Sequence, residues 1–406
     1  MSRINFQATV SNIQFRIDWS RKSHEYTDEE IQAITGFLRT ADTFTQGVCQ
    51  ETFERDFAAY CGVDHAFAMA NCTCAIEIAA SLMNLAPGDE VIVPAHTWCS
   101  TAIPFIRAGA KIIWADIDPD TRLVTAETIR KVLTLKTKAI VVVHLYGLMA
   151  EMPEIMELAG KHGVYVLEDC AQSLGAEFKG RKAGTFGDFA TFSFHTQKNM
   201  TTLGEGGVLC VRDLSQSRRV RGLIHNSVEA FEDQKDYWIP AMSNVVLDQA
   251  GKIPYNFCLT EIQSFVGSLL LKRIDQLNDA RIDRAKRFKE AFLEFDELSF
   301  QKVPVGNRHV FHLLTARYDG SRYGKNRDDL IRHLAYEHKV KAIVQYFPLY
   351  RYPFFRDLGF GSANCPDTDY FFDNMVSFPF QVWMSEDDFA YLINAVKKSL
   401  LALRKG

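Results

Sequence analysis

Four short apolar, β-branched runs recur at helix-length intervals through the first half of the chain: EVIV at 90–93, KIIWA at 111–115, KAIVVV at 138–143 and VYVLE at 164–168. Strands that are apolar without alternation are covered on both faces, and strands separated by helix-length segments become parallel neighbours. The pattern therefore predicts a mostly parallel α/β sheet lying between helices. A further pair of runs, 190–194 and 207–211, brackets a glycine-rich turn, LGEGG at 203–207.

The flanking segments follow helical periodicity. Thr27 to Glu30 is a capping box opening an amphipathic helix that runs to about Thr40, and a second helix is expected over about Thr52 to Tyr60. Beyond the sheet, a polar, aromatic stretch (225–258) leads to one long helical run from about Thr260 to Phe295. The remainder mixes a strand-like segment at 309–317, a helix at 327–338, an aromatic stretch at 343–361 and a C-terminal helix from Glu386. The expected organisation is a large domain over 1–275 and a smaller α/β domain over 276–406, with the N-terminal segment available to pack on the smaller one.

Composition narrows the function classes. With 46 basic and 50 acidic side chains the net charge is −4, which argues against a general nucleic-acid binder. The nine cysteines are odd in number, scattered and never spaced as CxxC, so neither a disulfide framework nor a metal site is expected. They read as buried thiols of a cytoplasmic protein. Arg3, Arg16 and Arg21 interrupt the apolar residues of the N-terminus, so no membrane partner is expected.

The chemistry concentrates in 166–207. An apolar strand delivers Asp169 at its carboxyl end, where open α/β sheets bind ligands, and the strand near 190–194 leads to Lys198. An Asp and a Lys at neighbouring strand ends form either a buried salt bridge or a desolvated amine beside its charge partner. A nucleophilic lysine needs the second environment, which lowers its pKa.

These residues belong to a longer series: TQG at 45–47, PGDEVIVP at 87–94, HLYG at 144–147, EDCAQ at 168–172, GTFGD at 184–188, SFHTQK at 193–198 and GEGG at 204–207. In this order and spacing the chain resembles the DegT/DnrJ/EryC1/StrS sugar aminotransferases, which are pyridoxal 5'-phosphate (PLP) enzymes of fold type I. The resemblance implies a mostly parallel mixed sheet with a smaller C-terminal domain, and it implies roles residue by residue. Lys198 would be the Schiff-base lysine and proton carrier, and Asp169 the partner of the pyridinium nitrogen. Gln172 would face the phenolic oxygen, and Trp98 would stack on the ring. Cys72 and Thr73 lie in the phosphate turn, Ser193 is a further phosphate contact, and Asn256 is the contact offered by a neighbouring subunit of a homodimer.

The implied reaction converts a keto-sugar, nucleotide-linked, to an amino sugar with L-glutamate as donor. A cyclitol or other carbonyl substrate, a PLP-dependent sugar dehydratase and a non-catalytic PLP-binding regulator are the alternatives; the retained lysine disfavours the dehydratase. Three departures stand out: Cys72 replaces a glycine of the phosphate turn, Cys258 replaces a basic residue, and HTQK replaces the commoner YPTK. Other polar residues read more simply. His144 and His195 are expected as hydrogen-bonded strand-end residues, with Glu205 near substrate. Arg218, Arg219, Arg221, Arg281 and Arg284 are expected on solvated helix faces, with attraction of a nucleotide diphosphate as the alternative. The aromatic run 346–355 is expected mostly in the core of the smaller domain, and the resemblance implies that its neighbourhood closes over the site.

Overall fold

The computed structural model describes residues 13–22, 24–229, 244–247 and 251–405. Readings that fall on 1–12, and those on 230–243 and 248–250 within the polar, aromatic stretch, lie outside the described residues.

The apolar runs form a seven-stranded sheet. Its strands are β1 (Ala66–Met69), β2 (Glu90–Pro94), β3 (Lys111–Ala115), β4 (Thr137–Val143), β5 (Tyr165–Asp169), β6 (Phe189–Ser193) and β7 (Gly207–Val211). Their order across the sheet is β1-β7-β6-β5-β4-β2-β3. The pairs β2–β3, β2–β4, β4–β5 and β5–β6 are parallel, and β7 runs against both β6 and β1. The expected mixed, mostly parallel sheet is thus present, and β1, β2, β4, β5 and β6 all end on one edge.

Helix α1 (Asp28–Thr40) starts with the expected capping box, in which Thr27 and Glu30 satisfy each other's backbone N–H groups. Helix α2 (Val48–Cys61) begins earlier than its periodicity suggested. Its leading amides, Cys49 and Gln50, donate to the Glu261 carboxylate at 2.9 and 3.0 Å, a cap from outside the local sequence. Helix α3 (Cys72–Leu82) follows β1 and is almost wholly buried.

The long helical run after 260 is two helices, α4 (Glu261–Leu271) and α5 (Ile274–Glu290). The break falls at Arg273, whose guanidinium reaches back to Glu30 of α1 at 2.6 and 2.9 Å and to the Glu25 carbonyl at 2.8 Å. Charge-assisted hydrogen bonds of this kind outweigh the loss of one helical turn. Helix α5 then joins two cores: Ile274 packs in the core of the large sheet, Ala285 and Phe288 in a second core.

The second core lies under an antiparallel sheet of β8 (Leu298–Phe300), β9 (Leu314–Tyr318) and β10 (Met375–Phe378), covered by α6 (Arg327–His338) and α7 (Glu386–Leu403). The strand-like segment at 309–317 is ordered as a strand only from Leu314. Ile17, near the start of the chain, pairs with Val340 and is buried in this second core.

The aromatic run 346–355 departs from expectation. Leu349, Tyr350 and Phe355 belong to the core of the large sheet rather than the smaller one. Leu349 N–H donates to the Ala95 carbonyl at 2.9 Å, and Phe355 packs edge-on against Trp114 with centroids 5.4 Å apart. Burying these rings against the carboxyl edge of the sheet removes their apolar surface from water and closes one side of that edge.

Candidate active site

Five strand ends converge on one cavity of about 510 Å³, β4 among them through Val143. The segment after β1 supplies Asn71, Cys72 and Thr73; that after β2 supplies Trp98; β5 and the turn beyond it supply Asp169 and Gln172; β6 and its loop supply Ser193 and Lys198. The structure therefore brings together every candidate named from the sequence except Asn256. That residue is exposed, bridged to His225, and outside the cavity wall.

Asp169 is buried and held on both oxygens. Thr101 Oγ1 donates to Oδ2 at 2.8 Å and the Ala171 N–H donates to Oδ1 at 3.1 Å. Lys198 stands opposite in chemistry: among the described residues its Nζ makes no hydrogen bond or ion pair. Burial lowers its pKa from the usual 10.5, while Asp169 and Cys72 pull the other way. Desolvation of an amine favours its neutral, nucleophilic form. Its loop is pinned by backbone hydrogen bonds from Phe194 to Gly206 (2.8 Å), from Thr196 to Gly204 (2.9 Å) and from Lys198 to His195 (2.8 Å). The glycine-rich segment is thus a turn between β6 and β7, as its sequence suggested.

The start of α3 is an anion cradle. Asn71 caps it through a 2.9 Å hydrogen bond from Cys74 N–H, and the amides of Cys72 and Thr73 precede the helical ladder. This helix end lies against the first residue of β7, where a Cβ on Gly207 would come within 2.4 Å of the Asn71 carbonyl carbon. Cys72 is not among the residues with positive φ, so a side chain costs the turn nothing, and burial pushes its thiol pKa up, so that it stays protonated.

Gln172 is fixed by Tyr146 N–H donating to its Oε1 at 2.7 Å and by its own Nε2 donating to Tyr346 Oη at 3.2 Å. One Nε2–H remains for a ligand oxygen. Trp98 is 54% exposed, meets Tyr346 edge-on at 6.1 Å and lines the cavity. These groups fit PLP: an amine with no partner among the described residues, an anchored carboxylate, a helix N-terminus for phosphate and an aromatic side chain share one cavity.

His144 has the structural role expected of it. It is fully buried, accepts from Ala150 N–H at Nδ1 (3.3 Å) and donates from Nε2 to Glu168 (2.9 Å). Glu168 also accepts from the amides of Gly184, Phe186 and Gly187 at 3.1, 2.7 and 2.6 Å. With Cys170 these side chains lie close enough to hold a metal ion, but their lone pairs are already committed to these donors.

His195 and Glu205 line the cavity 4.0 Å from each other. Arg218 and Arg221 lie on a solvent face, and Arg284 is tied to the carbonyls of Gln381 and Met384. Arg281 contradicts its reading as a solvated residue: it is 3% exposed and forms part of the cavity wall. Sequence reasoning also passed over Thr101 and His312, and it named Tyr346 only as part of an aromatic run. His312 lay in an apolar segment whose only signal was a second histidine, His309.

Comparison with known proteins gives a consistent picture. The profile of the DegT/DnrJ/EryC1/StrS aminotransferase family matches residues 24–397. The spore coat polysaccharide biosynthesis protein SpsC of Bacillus subtilis is 32% identical over 371 residues, spanning 91% of this chain and 94% of its own. The UDP-N-acetyl-3-dehydro-alpha-D-glucosamine 3-aminotransferase of Acidithiobacillus ferrooxidans is 31% identical over 372 residues, covering 91% of this chain and 94% of its own. Among solved structures, an aminotransferase from Psychrobacter cryohalolentis superposes with a TM-score of 0.87 at 27% identity, covering 95% of this chain and 100% of its own.

Proposed function

The chain belongs to the DegT/DnrJ/EryC1/StrS aminotransferase family, and on that premise we propose that it moves the amino group of L-glutamate onto a nucleotide-linked keto-sugar. It is a PLP-dependent aminotransferase that turns a keto-sugar into an amino sugar. The observation that carries the assignment of roles is the Lys198 amine, lowered in pKa and unpartnered among the described residues, in the cavity that also holds Asp169.

When bound, PLP supplies a conjugated pyridinium ring that takes up the electron pair left on carbon when a proton departs. The chain's own residues do the rest. Lys198 Nζ would hold the cofactor covalently, and as a free amine it would carry the proton between the donor's Cα and the neighbouring carbon. Asp169, oriented by Thr101 and Ala171, would keep a proton on the ring nitrogen. The Cys72 and Thr73 amides, with the Thr73 and Ser193 hydroxyls, would bind the phosphate, and Trp98 and Gln172 would hold the ring face and its phenolic oxygen.

Asn256 supports a homodimer, since it is exposed and stands outside its own cavity, as a residue serving the partner's site would. No helix among the described residues is long and apolar enough to cross a membrane. All nine cysteines are free thiols, which supports a cytoplasmic, reducing location. The test is incubation with L-glutamate and a panel of nucleotide-linked keto-sugars, read by mass spectrometry. Amination of a free sugar or cyclitol alone would overturn the nucleotide-linked assignment, and failure of glutamate to bleach the visible cofactor band would overturn the donor.

A further inference from the structure

The cavity wall contains a second nitrogen whose protonation can be read from its neighbours. His312 sits just before β9, and its backbone N–H donates to the Tyr146 carbonyl at 2.8 Å while Val310 N–H donates to Gly147 at 3.0 Å. The two segments touch so closely that a Cβ on Gly147, whose φ is +101°, would stand 3.0 Å from His312 N. The side chain is thereby held in the wall shared with Lys198, where it is 6% exposed.

A chain of amides assigns its tautomer. Asn278 Nδ2 donates to the Leu174 carbonyl at 2.9 Å, so Asn278 Oδ1 is the atom that receives Asn199 Nδ2, also at 2.9 Å. Asn199 Nδ2 donates in addition to the Val310 carbonyl at 3.1 Å. Asn199 therefore presents its Oδ1 to His312 Nδ1, 3.3 Å away. An amide oxygen only accepts, so the proton is on Nδ1, and a neutral imidazole then has a bare lone pair on Nε2. Burial, together with Lys198, Arg281 and His195, holds the His312 pKa well below the usual 6.5, so the ring is neutral at physiological pH. Nε2 has no hydrogen-bond partner among the described residues.

We infer that His312 Nε2 is the acceptor that receives a hydroxyl of the keto-sugar beside the reacting carbon. This rests on the keto-sugar reading above and sharpens it. The carboxylates of an amino donor carry no proton to offer a lone pair and are repelled by it. A sugar hydroxyl is a donor of the right kind, so one wall nitrogen separates the two substrates that the same cavity must accept in turn.

The test compares the two half-reactions in rapid-mixing experiments on holoenzyme. One starts from the PLP form with L-glutamate; the other starts from enzyme charged with pyridoxamine phosphate, mixed with a panel of UDP- and GDP-linked keto-sugars. His312→Asn keeps a donor for Asn199 but removes the acceptor facing the cavity, whereas His312→Gln restores an acceptor at the longer reach. The expected result is a roughly 10–100-fold shift of the rate ratio against the sugar in His312→Asn, carried by a raised KM and largely recovered in His312→Gln. Nitrogen-15 spectra of histidine-labelled wild type should show His312 protonated at Nδ1 and bare at Nε2. An unshifted ratio, or the opposite tautomer, overturns the inference while leaving the aminotransferase reading intact. If wild-type enzyme reacts with glutamate but aminates no sugar in the panel, the keto-sugar reading and this inference fall together.

Discussion

Replacing Glu168 by Gln tests the scaffold that delivers Asp169. The Glu168 carboxylate is fully buried and receives four N–H groups: Phe186 and Gly187 on Oε1, His144 and Gly184 on Oε2. A glutamine matches only one of these pairs and turns its own NH₂ toward the other, so two charge-assisted hydrogen bonds are lost. At about 1.5–3 kcal/mol each, the cost is about 3–6 kcal/mol. Taking about 2.1 cal/mol/K of unfolding entropy per residue over 406 residues, the loss corresponds to a drop of about 4–7 °C in Tm, measured by calorimetry at neutral pH. Burial pushes the Glu168 carboxyl up, but His144 and the amides of Gly187 and Gly184 outweigh it and hold the pKa below the usual 4.5. A lowered carboxyl pKa stabilises the fold above the unfolded value and loses that effect as pH falls through the folded one. The gap between wild type and variant should therefore be full at pH 7 and shrink below pH 4.5. A Tm loss under about 1 °C at pH 7, or a gap that widens in acid, would refute the reasoning.

Lys198→Ala should abolish borohydride-reducible cofactor attachment and slow turnover by at least about 1,000-fold, and retention of roughly a tenth of the activity would rule out Lys198 as the proton carrier. Thr101→Val removes a hydrogen bond from the Asp169 carboxylate, and proton abstraction followed by stopped flow should slow about 10-fold with the cofactor still bound. Gly207→Ala forces the start of β7 away from Asn71, and equilibrium dialysis should show weaker cofactor binding, with about 1–3 kcal/mol of stability lost. Reductive alkylation of the cofactor-free protein as a function of pH should place the Lys198 midpoint below the usual 10.5, and a midpoint at or above that value would contradict its desolvation.

Much of the sheet was legible because a strand covered on both faces has little choice of residue, and β3 and β7 fall where their apolar runs do. Boundaries moved where distant groups intervened. Helix α2 begins early because Glu261 caps it, and the run after 260 breaks because Arg273 answers Glu30. Of the motif residues, Asp169 and Lys198 were legible from their strand ends, the positions that a parallel sheet brings to a common edge, whereas Cys72, Thr73 and Ser193 were legible only through the family resemblance.

The supporting groups were not legible. Thr101 lies 68 residues from Asp169, Tyr346 lies 174 from Gln172, and Asn199 lies 113 from His312. None of them carries a local signal, because their roles consist of a partner that only folding brings near. Arg281 was misjudged for the same reason: helical periodicity places it on a face but does not say what that face meets.

By itself the sequence determined the order of strands and helices, the residue types at the strand ends, and hence the class of chemistry, since periodicity and motif spacing are properties of neighbours along the chain. Tertiary structure alone decided which of those residues share a cavity, that Lys198 has no partner there among the described residues, and which amide oxygen faces Nδ1 of His312. Protonation and pKa depend on desolvation and on dipoles a few ångströms away, and those distances exist only once the chain has closed on itself.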